Sequence, residues 1–485
     1  MSTRPKTRRK RPRQWRQINF PKRGIYRLSP NPRRPIRQRA VELWDRVRAS
    51  IRSTLFWVAV AAIFVAIGWR YLAPLALVIA VAVFLFRPHL KPLVLRIDDD
   101  FSTDSAEFLS TLAGVSGVPL LGGNSVRILN NGDEFYPAIL EAVRGAQFSI
   151  TMEQYIFATS TISREFAEAC AERARAGVSV KLLVDAVGSG SLSAEIVRLL
   201  RSAGCELRWF HPIRWYNLHR VNNRTHRKSI IIDGQIAFTG GAGLDDHWRG
   251  NARNPNEWRD LQVRLEGPAV TPLQTGFALN WLLTTGEVLT GPRYYPVMDS
   301  EGGVEVQTVL SSPKGDLYAA SVLHQLAICC ARQCIYITNP YFVPSNQTIA
   351  LLEEAAARGV DIKVIVAGAH SDSWWARMNS VRLYGALLDA GVEIYEYQPS
   401  MLHQKTMIVD RIWATVGTAN FDDRSFLLNE ESNVCFYDPD LVEQLRQIFF
   451  EDLARSHRVE AASWRRRGIR HRLGEMAASL LQDQV

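Results

Sequence analysis

Two stretches near the N-terminus are apolar at almost every position. Residues 55–69 (LFWVAVAAIFVAIGW) and 71–86 (YLAPLALVIAVAVFLF) have no polar face, and only Arg70 interrupts them. Each falls short of the ~20 residues a helix needs to cross a bilayer upright. Joined into one helix they would place a charge in mid-membrane. The pattern therefore predicts a helical hairpin, shallow or just spanning, with Arg70 near its turn reaching to the head groups. A single span that puts the rest of the chain outside stays open. From residue 123 the pattern changes to amphipathic helical stretches alternating with short apolar runs, as in a mostly parallel sheet covered by helices.

These stretches recur. GVSVKLLV (177–184) is echoed by GVDIKVIV (359–366), and LLRSAGCEL (199–207) by LLDAGVEI (387–394). The helix-then-strand stretch at 138–157 is matched by the one at 321–343. A repeat this long is not a solenoid unit. It predicts an α/β fold of two similar sub-domains related by a pseudo-two-fold axis. The expected division is a basic arm (1–52), a membrane hairpin (53–88), a linker (89–122) and two halves (123–297 and 298–485).

Charge changes the picture at the N-terminus. The chain has 485 residues and a formal charge of +10, but residues 1–52 hold eighteen Lys and Arg against Glu42 and Asp45. The remainder then carries about −6, so the body is not a basic, nucleic-acid-like surface. The arm is rich in Arg and Pro, and should be disordered alone or lie on anionic lipid. Positive charge ahead of the hairpin, with Arg87 and Lys91 behind it, predicts that both ends stay cytoplasmic. The apolar stretch lies too far from the N-terminus for a cleavable signal. Six cysteines without metal spacing read as buried free thiols.

The chemistry concentrates in two copies of one motif. His226, Lys228 and Asp233 lie in HRKSIIIDGQIAFTGG, and His403, Lys405 and Asp410 in HQKTMIVDRIWATVG, both spaced H-x-K-x-x-x-x-D. Residues two apart on a strand share a face, so each His and Lys belong together. Each Asp lies an odd number of residues on and ~23 Å away if extended, which makes it a turn or scaffold residue. The turn Asp233-Gly234 is a favoured two-residue hairpin connection. Gly240-Gly241 stands where the second copy has Gly417-Thr418. Main-chain N–H groups of that glycine run are expected to bind phosphate where a hydroxyl is missing.

Paired motifs of this kind in a duplicated α/β chain resemble the phospholipase D superfamily. The flanking segments NRTHRKSIIIDGQIAFTGG, YITNPYFVP, AGVEIYEY and GTANFDDRSFLLNEE are similar to bacterial cardiolipin synthases, from about residue 123 to the C-terminus. The long Arg-rich arm departs from that pattern. The resemblance implies that His226 attacks phosphorus to form a phosphohistidine, while His403 protonates the departing glycerol and deprotonates the incoming hydroxyl. It implies that Lys228 and Lys405 hold phosphate oxygens, that Thr418 and Asn420 donate hydrogen bonds to them, and that Asp260 and Glu431 orient the imidazoles. Glu430 is adjacent to Glu431 but out of register.

The function this implies is transfer of a phosphatidyl group between two phosphatidylglycerol molecules at the bacterial inner membrane, facing the cytoplasm, without metal or cofactor. A phospholipase D hydrolase is the nearest alternative. A superfamily nuclease and a catalytically dead scaffold are further readings, and nucleic acid is disfavoured as a partner. The aromatic stretches at 209–216 and 374–377 suit a membrane interface or an acyl-chain channel, and the basic run WRRRGIRHR at 464–472 suits a membrane surface. Core aromatics and a solvated basic face remain the alternatives.

Overall fold

The computed structural model describes residues 51, 53–66, 69, 72–86, 101–213, 223–312 and 318–479. The basic arm, Arg70, Arg87, Lys91 and the aromatic run at 214–216 lie outside the described residues. Two apolar helices, Thr54–Ala66 and Leu72–Phe86, pack against each other. Ala73, Ala76 and Ala80 are buried, whereas Phe56, Val58, Ile63, Leu75 and Val78 are exposed. With 13 and 15 residues, the helices are only ~20 and ~22 Å long. Among the described residues no helix is long and apolar enough to cross a membrane. The transmembrane expectation is corrected accordingly: the continuous apolar text divides into two helices, each shorter than the ~30 Å hydrocarbon layer.

The rest of the chain builds one fifteen-stranded sheet. The first half contributes β1 (Leu121–Asn130), β2 (Ser149–Gln154), β3 (Ser179–Asp185), β4 (Glu206–Phe210), β5 (Ser229–Ile232), β6 (Ile236–Gly240) and β7 (Leu261–Glu266). The second contributes β8 (Val304–Ser311), β9 (Cys334–Thr338), β10 (Asp361–Ala367), β11 (Glu393–Tyr397), β12 (Thr406–Val409), β13 (Trp413–Gly417), β14 (Glu431–Tyr437) and, at its edge, β15 (Ser456–Arg458). Outward from the central β1–β8 pair, the order is β7-β6-β5-β2-β3-β4 on one side and β14-β13-β12-β9-β10-β11-β15 on the other. The two halves thus repeat one strand order.

The sheet is not mostly parallel. Parallel pairing is confined to β2–β3–β4 and β9–β10–β11. Every other described pair is antiparallel. The physical reason lies in the motif hairpins. Three residues join β5 to β6 and three join β12 to β13, one more than the two-residue connection expected at Asp233-Gly234, with Asp233 and Gly234 at φ 54° and 66° and Asp410 and Arg411 at φ 52° and 58°. Two left-handed residues make the tight turn whose twist suits antiparallel neighbours. Strands buried on both faces are apolar in either direction, so their text did not betray it.

Both turn aspartates also tie the hairpin to a neighbouring strand. Asp233 accepts from the backbone N–H groups of Gln147, Phe148 and Ser149 at 2.8, 2.7 and 2.7 Å. Asp410 accepts from those of Arg332, Gln333 and Cys334 at 2.8, 2.7 and 3.1 Å. Within the stretch read as a linker, Ala106–Ser116 is a helix capped by Ser105. Its buried Phe108 stands edge-on to Trp413 of the second half, 6.3 Å between centroids. One apolar core lies in each half, and a third, including Leu265, Phe277, Val306, Ile408 and Phe449, draws on both and closes the junction. All six cysteines are free thiols, five of them buried.

Candidate active site

The site residues gather where equivalent strands begin and end. His226 and Lys228 immediately precede β5, and His403 and Lys405 precede β12. Asp260 precedes β7, and Glu431 opens β14. The halves interlace there. His226 N–H donates to Glu430 O at 2.8 Å and Glu430 N–H to Arg224 O at 2.9 Å. Correspondingly, Arg259 N–H donates to Met401 O at 2.8 Å and His403 N–H to Arg259 O at 2.7 Å. Each histidine segment therefore lies beside the carboxylate segment of the opposite half.

That lacing crosses the acid–imidazole pairs. His226 Nδ1 lies 3.1 and 3.0 Å from the two Glu431 carboxylate oxygens. His403 Nδ1 lies 2.9 Å from Asp260 Oδ2. Glu431 and Asp260 are completely buried. Because each Nδ1–H is engaged by a carboxylate, each Nε2 carries the ring lone pair, which on His403 faces Lys405 at 3.1 Å. Burial pushes both His226 and His403 down to about 4, and the adjacent lysine charges add to this against the pull of the carboxylates. The resting imidazoles are therefore neutral near pH 7. Despite burial, Asp260 and Glu431 stay below the usual carboxylate range because of the histidines and lysines around them.

The lysines are buried as well. Lys228 donates to His226 O at 3.0 Å. Lys405 donates to His403 O and lies 2.9 and 3.1 Å from the two ring nitrogens of His403. Burial lowers Lys228 to about 7, with Lys405 the next largest cause, and lowers Lys405 to about 8. The carboxylates of Asp260 and Glu431 only partly offset the burial of these two neighbouring amines, so there is room for further negative charge beside them. A phosphodiester would supply it.

The expected phosphate binders divide. Thr418 is fully buried, and its hydroxyl donates to Glu431 Oε2 at 2.5 Å while accepting from Ser432 N–H at 2.9 Å. Its proton thus serves the carboxylate, not a phosphate. A Cβ at Gly241 would stand 2.3 Å from Asp260 Oδ1, and one at Gly240 would stand 2.4 Å from Leu261 O. The Gly241 N–H is also directed to Leu261 O at 3.4 Å. These glycines make room for Asp260 and its strand. Asn420 differs: its buried Oδ1 has no hydrogen-bond partner among the described residues.

Several contributors were not singled out from the sequence. The buried Trp248 indole donates to Asp260 Oδ2 at 2.9 Å and stands edge-on to His403, 5.4 Å between centroids. Trp258 lies 5.6 Å from His403, and Tyr155 stands edge-on to His226 at 5.2 Å. Buried Arg227 pairs with Glu430 at 2.7 Å. Buried Arg259 donates to both Asp452 oxygens at 2.8 and 3.0 Å, and Gln404 donates to Asp452 at 2.6 Å. A residue-by-residue overlay of the two repeats could have found these: it sets Arg227 against Gln404 and Arg259 against Glu430.

The family description "Cardiolipin synthase, PLD-like domain" matches residues 139–254 and 326–453. The chain belongs to the cardiolipin synthase family of phospholipase D-like proteins. Curated members agree. A cardiolipin synthase 2 of Bacillus anthracis is 37% identical over 358 residues, 73% of this chain and 70% of that protein. A cardiolipin synthase of Geobacillus kaustophilus is 35% identical over 366 residues, 75% of this chain and 73% of that protein. Among solved structures, a phosphatidylserine synthase of Haemophilus influenzae shares the fold, with a TM-score of 0.62 and 13% identity, over 78% of this chain and all of its own. For this cardiolipin synthase family member, the crossed His–carboxylate pairs fall in or beside the matched segments.

Proposed function

We propose that the chain is a phosphatidyltransferase of cardiolipin synthase type, joining two phosphatidylglycerol molecules and releasing glycerol. The observation that carries this reading is the crossed pairing of His226 with Glu431 and His403 with Asp260, beside two buried lysines. The neutral His226 Nε2 attacks phosphorus, and the bond from phosphorus to the glycerol oxygen breaks. The departing oxygen takes a proton from His403, which the anionic phosphodiester recharges by favouring imidazolium. A second phosphatidylglycerol hydroxyl then returns a proton to His403 and attacks phosphorus, and the phosphorus–nitrogen bond breaks. Lys228, Lys405 and the Asn420 amide bind the phosphoryl oxygens. Glu431 and Asp260 hold the rings, and Thr418 holds Glu431.

The repeated strand order supports two halves related by a pseudo-two-fold axis, with one His–Lys set from each. The two short apolar helices support seating on the bilayer by a shallow hairpin, with the catalytic body on the cytoplasmic face. A hydrolase differs only in letting water reach the phosphohistidine first.

The test is product analysis on the purified full chain with phosphatidylglycerol vesicles. Cardiolipin plus glycerol is expected; phosphatidic acid alone would replace this reading with the hydrolase. His226→Ala is expected to remove all turnover and the acid-labile phosphoryl label on the protein. Turnover that survives it would refute the nucleophile.

A further inference from the structure

Two features far apart in the chain meet on one face. The helix Trp374–Asp389 packs against the C-terminal helix Ile469–Ser479, with Asn379 Nδ2 donating to Ala478 O at 2.9 Å. A Cβ at Gly474 would lie 3.2 Å from the Trp374 ring, so the missing side chain lets the two helices close. The short helix Ala461–Arg465 is tied to the same partner by Trp464 Nε1, which donates to Val381 O at 3.1 Å. These contacts order the C-terminal segment against the body.

What the packing leaves outside is both apolar and basic. Trp374 and Trp375 are 50% and 44% exposed, and Ile469 and Leu473 are 74% and 57% exposed. The two indoles stand edge-on to each other, 4.8 Å between centroids. Around them, residues 461–479 hold five arginines against Glu475 alone, in a chain whose body is otherwise acidic. Arg467 is neutralised by Glu475 and Arg465 pairs with Asp389, while the exposed Arg466 has no ion pair among the described residues. Exposed tryptophans beside arginines fit neither a core nor a plain solvated face. They match a surface whose outer layer is anionic and whose next layer is hydrocarbon.

The face is continuous with the candidate site. Asp372, two residues before Trp374, accepts from the Tyr341 hydroxyl, and its charge reaches Lys405. Building on the proposed lipid substrate, we propose that Trp374, Trp375, Ile469, Leu473 and the surrounding arginines form a docking face for an anionic bilayer, on the side of the candidate site that Asp372 connects to Lys405. Substrate would then pass from the membrane to the paired histidines without crossing water. This contact is separate from the N-terminal helices and would orient the catalytic body toward the lipid.

The test uses the full chain with Leu473→Cys carrying an environment-sensitive fluorophore, and with Cys329→Ala removing the one partly exposed native thiol. The protein is reconstituted into vesicles of phosphatidylglycerol and phosphatidylcholine, or of phosphatidylcholine alone, with brominated acyl chains as quencher. Strong quenching is expected in the anionic vesicles, at least threefold weaker in the neutral ones and weakened by salt. Trp374→Ala with Trp375→Ala should reduce it at least threefold. A label at the exposed Ser202 is expected to stay unquenched. Equal quenching at Ser202, equal quenching in both vesicle types, or none at Leu473 would overturn the docking face. Shielding without bromine quenching that grows with protein concentration would assign the face to a second copy, and would also overturn it. Because the readout is binding, it stands apart from the product assay: absent cardiolipin with intact quenching refutes the reaction, not the face.

Discussion

The two half-sites share a backbone device and differ in what holds the carboxylate. In one, Glu431 faces His226 and is fixed by the Thr418 hydroxyl, with Asn429 Nδ2 at 3.3 Å. In the other, the shorter Asp260 faces His403 and is fixed by the Trp248 indole and by Leu261 N–H at 2.9 Å. Gly241 and Thr418 occupy equivalent places in the repeat, and the difference between them follows from this. Where a hydroxyl supplies the donor, there is a side chain; where the indole does, there is none, because a Cβ would strike Asp260. The surroundings differ in the same sense. His403 is flanked by Trp248 and Trp258 with 7% of its side chain open to solvent, whereas His226 has Tyr155 and is slightly more open at 12%. The more open ring suits the attacking nucleophile and the enclosed ring suits proton transfer, where exclusion of water matters more.

The sharpest way to break this comparison is to remove the enclosed ring. His403→Ala is expected to lower kcat by about 10²–10⁴-fold, the usual range for one acid–base group. A slow first step with an alkoxide leaving group, and a much smaller loss with an activated phenol leaving group, would confirm its role as acid. Equal losses with both leaving groups would refute it.

Next comes the exchange at equivalent positions. Gly241→Ala should force Asp260 off His403 and lower kcat about 100-fold, since ångström misplacements have that effect. Thr418→Ala, which only removes a donor to a carboxylate, should cost about 1.5 kcal/mol, the low end for a hydrogen bond to a charged group, or about tenfold in rate. If Gly241→Ala proved the milder, the account of the asymmetry would be wrong.

The lysines are expected to behave alike in both halves. Their folded-state values lie below the ordinary lysine range, at about 7 and about 8. The unfolded chain therefore binds more protons across the interval, and stability falls as pH drops from about 10.5 toward 7. Denaturation midpoints in detergent should rise from pH 7 to 10 in the wild type and stay flatter with Lys228→Met and Lys405→Met. For activity the sign is opposite: phosphate binding needs the charged lysines, so kcat/KM should fall as pH rises through about 7–8. Its acid limb should lie near about 4, where His226 becomes protonated.

The smallest effect separates the two tryptophans. Trp248→Phe keeps a ring beside His403 but removes the N–H from Asp260, making the carboxylate more basic and raising His403. The alkaline limb of kcat, set by loss of the His403 proton, should move upward by less than about one pH unit. Trp258→Phe, which leaves the Asp260 bond in place, should not move it.

Much of this was legible in the linear text. The duplicated H-x-K-x-x-x-x-D motifs and their flanks marked both histidines and lysines, because local spacing decides which side chains share a strand face. Turns at Asp233-Gly234 and Asp410-Arg411 were visible too, from the turn residues between two apolar runs, while their left-handed backbone was seen only in the structure. The N-terminal apolar runs announced two short helices, although no helix among the described residues reaches bilayer length. What the text could not contain was the pairing across the halves. Glu431 faces His226 from 205 positions away and Asp260 faces His403 from 143. Trp248 and Gly241 acquire meaning only once Asp260 lies between them. A sequence determines which groups a short segment can offer. Which offer meets which is decided by how the two halves join, at the β1–β8 pair, through their shared core and by the backbone lacing beside each histidine.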